Sequence, residues 1–475
     1  MGAGVTGQPD DGGRRQTVTR MTDARGYAHL WTAPQLDHLF GEQGRLATWT
    51  GILAALARAQ AGLGIVPSAS AEAVTRLAED LRAGTSALDV DVIAAETRRT
   101  SHSTLGLIAA LQRALPESSR EHVYYGATVQ DLTDTWFGVV LRDVGRLVER
   151  DVWAAEGRLV ELARAHRGTA MVGRTHGQPG APITFGLKAA GWADEMRRNL
   201  DRLRQGRGRW EVGQLGGAVG ALGFFGADGP ELRRRFCAEC GLGDPGISWF
   251  TSRDRLAEFG AVLAMVCQTL ARIGGEVYEL SRPEIGELGE GRGADVIGSI
   301  TMPHKRNPEG SEHLVTLSRL VRAHAGVLLE GMDQAHERDG RGWKAEWVAL
   351  PEVCELTTTA VGLGRRLLDG LEVHPEAMTR NLTAGGELLA SEQVLAGLSR
   401  VLGKHAAQST MAGVMTDGTA SAVGLVAAVA AASGQPEPEV RGWARTSALL
   451  GAAETTDAVV RRAELARAGE VVDDF

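Results

Sequence analysis

Gly298-Ser299-Ile300-Thr301-Met302-Pro303-His304-Lys305-Arg306-Asn307 closes a longer stretch, Pro283 to Asn307, that reads PEIGELGEGRGADVIGSITMPHKRN. Glycines stand at 286, 289, 291, 293 and 298, and no apolar period precedes Ile297. Backbone so rich in glycine loses much entropy on ordering, so the stretch reads as a mobile loop between helices. Loops of this length are uncommon in compact domains, where they often cover a reaction site; a plain surface connection is the alternative. Four of the 51 basic residues are lysines (Lys188, Lys305, Lys344 and Lys404), so a lysine inside this stretch stands out.

Outward from the loop the pattern is helical. Arg45 to Leu63 places Leu46, Trp49, Ile52, Leu53, Leu56 and Ala57 three and four apart, an apolar stripe that needs a partner helix. Similar runs cover about 90–115, 132–165, 183–204, 256–280, 310–330 and 352–371, and no series of alternating β-branched segments interrupts them. The expected class is all-α, with long helices packed side by side as a bundle. Breakers at Pro67, Pro116, Pro375, Gly385 and Gly386 divide the chain. A disordered tail is expected over 1–20, an N-terminal helical domain over 21–124, a central bundle over 125–371 and a C-terminal helical domain over 372–475. The Gly-rich loop 283–305 lies in the central region. A second Gly-rich stretch, Glu211 to Gly226, sits between two helical runs and reads as backbone brought close to something.

A chain of 475 residues, 43% hydrophobic and 23% charged, can bury a large core divided among two to four packing units. Its net charge of -8 offers no basic field for a nucleic acid. Residues 1–20 lack the apolar core of a secretory signal, and the apolar stretch at 420–433 is too short to span a bilayer. A cytoplasmic protein with no membrane or nucleic-acid partner is expected. Four cysteines are too few to staple a domain of this size, and Cys237 and Cys240 lack a second pair for zinc. They read as structural thiols. No motif asks for a metal or an organic cofactor.

The decameric segment resembles the GSxxMPxKxN signature of the fumarase/aspartase superfamily, agreeing at Gly298, Ser299, Met302, Pro303, Lys305 and Asn307. Gly173-Arg174-Thr175-His176-Gly177-Gln178 is similar to that superfamily's GRTHxQ segment. Tyr125 to Asp131, and Thr100-Ser101-His102, resemble its two remaining active-site stretches. The resemblance implies a lyase that removes a proton beside a carboxylate while a group on the neighbouring carbon departs, usually leaving fumarate. It makes Ser299 the base, and Lys305 and Asn307 the groups that stabilise the aci-carboxylate. His176 would pair with Glu312, which fixes an imidazole tautomer and raises its basicity. His102 resembles a histidine that contacts substrate or protonates a leaving nitrogen, although Ser103 stands where an aspartate is expected. Thr128, Gln130 and Thr175 would bind substrate carboxylates; for Thr128, capping of a helix is the competing reading. The resemblance also implies a homotetramer whose active sites draw stretches from three subunits.

Three subgroups compete for the substrate. His336-Glu337-Arg338-Asp339 runs into Gly340-Arg341-Gly342-Trp343-Lys344-Ala345-Glu346-Trp347, without the serines expected of an adenylosuccinate lyase at a nucleotide phosphate. The pattern resembles 3-carboxy-cis,cis-muconate cycloisomerases, whose bacterial members usually lack the histidine that His176 supplies. The favoured resemblance is to nitrosuccinate lyases of nitrite-forming secondary metabolism, where Ser101, His102 or Arg338 would hold the nitro oxygens. Ile300 and Ala221 replace hydroxylated residues and make the pocket less polar. A non-catalytic structural member of the superfamily is the alternative of another class, and the presence of Ser299, Lys305, Asn307, His176 and Glu312 weighs against it.

Overall fold

The computed structural model describes residues 22, 24–291, 298–445 and 448–469; the tail expected over 1–20 lies outside them, as do 292–297 of the loop. The elements run α1 (Asp37–Phe40), α2 (Glu42–Ala61), α3 (Ser68–Ala83), α4 (Val90–Thr100), α5 (Leu105–Ala114), α6 (Val129–Ala165), β1 (Ala170–Thr175), β2 (Gln178–Thr184), α7 (Phe185–Trp210), α8 (Gly229–Glu239), α9 (Asp254–Leu280) and β3 (Leu288–Glu290). They continue as α10 (Glu309–Glu330), α11 (Gly340–Asp369), β4 (Leu371–Val373), α12 (Pro375–Gly385), α13 (Ser391–Leu402), α14 (Lys404–Thr416), α15 (Thr419–Val423), α16 (Leu425–Ser433), α17 (Glu437–Arg445) and α18 (Ala448–Ala468). The fold is mostly helical, as the periodicity leads one to expect.

Helices α6, α7, α9, α10 and α11 form the bundle, and α9 touches each of α7, α10 and α11. It is long and apolar enough to cross a bilayer, yet 67% of its most apolar window is buried inside the fold, which is how a bundle's central helix reads. The core is continuous from the N-terminal helices through the bundle, and α18 returns to pack on α6 and α7. Val394, Leu398, Met411, Leu425, Val429 and Val440 form a second cluster among α13 to α17. Cys237, Cys267 and Cys354 are buried free thiols, and burial pushes Cys267 up to about 12.

Two helical runs differ from the sequence reading. The run over 90–115 is broken at Ser101, whose backbone is left-handed (φ 54°), so that α5 folds back on α4. The approach is close enough that a Cβ at Gly106 would sit 2.5 Å from the carbonyl oxygen of Ile93. Helix α11 starts at Gly340, twelve residues ahead of the run expected over 352–371, and continues through Pro351. Burial of the apolar Trp343, Ala349, Leu350 and Val353 on its core side offsets the roughly 3 kcal/mol that an interior proline costs.

The ends of α6, α9 and α11 are fastened by a wholly buried ion cluster. Arg253 donates to Asp134 at 2.9 and 3.0 Å and to Glu346 at 2.9 and 2.5 Å, with its guanidinium 4.8 Å from the Trp249 ring. Charges taken out of water this completely hold only when each is met by its partner. Arg253→Met is expected to leave two buried carboxylates uncompensated and to cost about 3–5 kcal/mol of stability; a denaturant midpoint close to that of the parent protein would contradict this role.

Candidate active site

The stretch 124–131 starts with two left-handed residues, Tyr124 (φ 64°) and Gly126 (φ 71°), and ends in the first turn of α6. A Cβ at Gly126 would fall 2.3 Å from Phe225, so glycine is required for the aromatic pair Phe224 and Phe225 to close over the turn. Thr128 caps α6 in a reciprocal box with Asp131. The Asp131 carboxylate accepts from the Thr128 N–H and hydroxyl, each at 2.9 Å, and from the Gly216 N–H at 2.6 Å. The second Gly-rich stretch thus brings its backbone to this carboxylate. Arg338 completes the group: its Nη2 donates to Thr128 Oγ1 at 3.0 Å and to the Gly217 carbonyl at 2.8 Å, and its guanidinium lies 4.3 Å from the Phe250 ring.

Ser101 and His102 belong to the same neighbourhood. His102 Nδ1 is 3.4 Å from the Thr104 hydroxyl. Thr104 in turn hydrogen-bonds Tyr124, whose phenol is pushed well up by burial and drawn partly back by that bond. Gln130 is placed behind the group: it is wholly buried and donates to the Phe250 carbonyl at 3.0 Å.

The remaining candidates lie at the other end of the bundle. Thr175 pairs with Gln178 across the β1–β2 hairpin, and His176 (φ 53°) and Gly177 (φ 75°) form its two-residue turn. Positive φ at both turn positions suits a tight hairpin and leaves His176 exposed at the tip. Beneath the tip, Arg174 donates to the buried Glu287 at 2.8 and 2.9 Å, and Asn381 of α12 donates to Glu287 at 2.8 Å. Glu287 leads into β3, which pairs with β4, and Glu290 at the end of β3 accepts from the N–H groups of Gly310 and Ser311 at the start of α10. Between them the described part of the loop closes on itself: Asn307 Nδ2 donates to the Gly298 carbonyl at 2.8 Å, and Met302 N–H donates to Ser299 Oγ at 3.0 Å. Lys305 is exposed on this turn, and Glu312 is exposed in the first turn of α10.

The structure therefore collects the candidates in two places. Ser101, His102, Thr128, Gln130 and Arg338 sit near the start of α9, and Thr175, His176, Ser299, Lys305, Asn307 and Glu312 sit near its end. With 27 residues α9 is about 40 Å long at 1.5 Å per residue. Among the described residues no hydrogen bond or ion pair joins the two groups, or His176 to Glu312, within one chain. Asp131, Glu287 and Glu290 were not singled out from sequence. Asp131 was findable, because an acid three residues after Thr128 is capping-box spacing; Glu287 and Glu290 carry no local signal.

Known proteins share this chain's sequence and architecture. A family profile described as "Lyase" matches residues 30–322. The N-acetyl-S-(2-succino)cysteine lyase of Dickeya dadantii is 38% identical over 374 residues, 79% of this chain and 81% of that protein. The 3-carboxy-cis,cis-muconate cycloisomerase of Pseudomonas aeruginosa is 37% identical over 383 residues, 80% of this chain and 82% of that protein. The crystal structure of a fumarate lyase from Mesorhizobium sp. BNC1 superposes with a TM-score of 0.81 at 29% identity, covering 91% of this chain and 98% of that one.

The contact between Arg174 and Glu287 gives a local expectation. Glu287→Gln should leave Arg174 without its carboxylate and weaken the hairpin by about 1.5–3 kcal/mol. Amide hydrogen exchange over 171–183 should accelerate while the cluster Val394 to Val440 keeps its protection. Unchanged exchange in the hairpin would show that the ion pair does not hold it.

Proposed function

The chain belongs to the lyase family within the fumarase/aspartase superfamily, and from that premise we propose that it eliminates a substituent from C2 of a substituted succinate and releases fumarate. One observation carries the reading: the Gly298–Asn307 turn presents Ser299 and the exposed Lys305 together, with Asn307 closing the turn onto the Gly298 carbonyl. In this reading Ser299 takes the C3 proton as an alkoxide. Negative charge then moves into the neighbouring carboxylate, where Lys305 and Asn307 meet it, and the C2 substituent leaves with the bonding pair. A compact ammonium suits an oxyanion of that kind.

Separation of the two groups by about 40 Å supports the proposal that the site is assembled between copies, as a homotetramer. The bundle also keeps apolar side chains outward: Met265 on α9, Leu320 and Leu329 on α10 and Val348 on α11 are all exposed in the single chain. A second copy facing these helices would bury them and bring the signature end of one chain to the Arg338 end of another.

For the leaving group our first reading is nitrite from nitrosuccinate. Arg338 is free of a carboxylate partner among the described residues, Ile300 is 92% exposed on the signature turn, and the phosphate-site serines of nucleotide substrates are missing. A second reading, a succinyl thioether, is favoured by the 38% identity to the N-acetyl-S-(2-succino)cysteine lyase. The two differ in their demand for acid. Nitrite leaves as a stable anion, whereas a thiol of pKa about 8.5 gains from a proton donor such as His176 or His102.

Separate incubation with nitrosuccinate, N-acetyl-S-(2-succino)cysteine, adenylosuccinate and 3-carboxymuconate, read as fumarate absorbance, nitrite, free thiol and lactone, decides among them. Fumarate from one of the first two is expected; lactone alone would overturn the proposal. Ser299→Ala should lower turnover by about 10²–10⁴-fold with assembly intact, and near-parental turnover would remove Ser299 as base. His176→Asn should slow thioether cleavage more than nitrite release, and equal losses would end the leaving-group argument.

A further inference from the structure

The Asp131 carboxylate is 99% shielded from solvent with no cation in ion-pair contact among the described residues, yet it meets hydrogen-bond donors from two separate segments. Oδ2 takes the Thr128 N–H and hydroxyl at 2.9 Å, and Oδ1 takes the Gly216 N–H at 2.6 Å, with the Gly217 N–H at 3.3–3.4 Å from both oxygens. Gly217 holds φ 69°, which turns its N–H towards the carboxylate and its carbonyl towards Arg338. A threonine hydroxyl has one hydrogen. Its candidate acceptors are the Asp131 carboxylate at 2.9 Å and the Gly217 carbonyl at 3.4 Å, and the ionised, nearer group takes it. The Thr128 lone pair then points at Arg338 Nη2, 3.0 Å away.

We propose that Asp131 is a positioning residue for the lyase reaction: by orienting the Thr128 hydroxyl and the Gly217 carbonyl as a pair of acceptors, it seats Arg338 to receive a substrate carboxylate or nitro group. The inference rests on the function proposed above. Arg338 enters this seat with no carboxylate of its own among the described residues, and its Nε is buried without a partner. Its positive charge is therefore held for an anion that arrives with substrate. Thr128 serves through Arg338, since its one hydrogen is already committed to Asp131.

The seat is sensitive to acid. Burial raises Asp131 to about 6 against the opposing pull of its donors and of Arg338; Tyr124 is the other titratable group that faces it. Because this folded-state value exceeds the ordinary 3.8, the group's contribution to stability grows as pH falls from about 6 to about 4, when the folded protein binds the extra proton. Protonation also lets Oδ donate to Thr128, which turns the hydroxyl hydrogen away and unseats Arg338. Acid should thus weaken substrate binding in the same window in which this group favours the folded state, a divergence that a purely structural carboxylate would not produce.

The test is a double-mutant cycle in the assembled enzyme with whichever substrate yields fumarate. Asp131→Asn should raise KM by about tenfold, equivalent to 1.4 kcal/mol, with a smaller change in kcat, and should remove the acid limb of kcat/KM near pH 6. Once Arg338→Ala is present, Asp131→Asn should add little. Thr128→Val, which leaves the Gly216 contact to Asp131 in place, should show the same KM increase and the same non-additivity; it carries the test if Asp131→Asn does not fold. Additive losses, or an unchanged KM in either folded variant, would overturn the proposal. The crystal structure of the variant supplies an arm independent of turnover: a guanidinium still bonded at residue 128 and the Gly217 carbonyl overturns the seat. A displaced guanidinium with no fumarate from any succinate sustains the seat and rejects the lyase reading.

Discussion

Helix length is the constraint on which this molecule depends. An α-helix rises 1.5 Å per residue whatever its sequence, so the 27 residues of α9 hold the Arg253 end and the Leu280 end about 40 Å apart. Helices α10 and α11 run alongside, and the chain leaves the signature turn at Asn307 only to reach Arg338 at the far end. Candidate residues that the proposed reaction needs together are therefore distant in the single chain. A bundle of this form makes a good scaffold, because its buried apolar seams keep each end rigid without any site residue having to stabilise the fold.

Each end carries its own electrostatic fastening. At one end Arg253 lies between Asp134 and Glu346, fixing α6, α9 and α11 directly behind the Thr128–Arg338 group. At the other, Glu287 joins Arg174 below the His176 hairpin to Asn381 of α12. Buried pairs of this kind add little net stability over well-packed apolar residues, but once present they admit few alternative arrangements. Their value here is placement, since catalysis tolerates errors of only a fraction of an ångström in its donors.

Much of this was legible in the sequence, for identifiable reasons. Period-3.6 stripes gave the long helices, because burial of one face contributes most of their stability. The segment at 298–307 stood out because its glycines and its lysine serve no packing pattern, and its resemblance to the superfamily signature is what implied a lyase. Local contacts also left a trace: the Asp131 cap follows from a three-residue spacing. The break at Ser101 and the passage of α11 through Pro351 were hidden, since both are settled by tertiary contacts, Gly106 against Ile93 in one case and the buried Trp343–Leu350 face in the other. Glu287 was hidden for the same reason: its partners, Arg174 and Asn381, are 113 and 94 residues away in the chain.

Carboxylate pairing distinguishes the arginines that fasten the fold from Arg338, the one proposed to meet substrate. Arg253, Arg174, Arg197 and Arg233 are each matched by a carboxylate, and in each case the charge is neutralised before any ligand arrives. Arg338 is half-buried, as Arg174 is, but its bonds go to a hydroxyl and a carbonyl, and no carboxylate meets its positive charge at contact distance among the described residues. Keeping a cation partly desolvated without a counterion costs free energy, and a folded chain retains such an arrangement where a ligand supplies the missing charge. Asp131, whose carboxylate feels this cation, is spent instead on orienting neutral groups, and in the proposed seat that division of labour keeps the guanidinium available while fixing its direction.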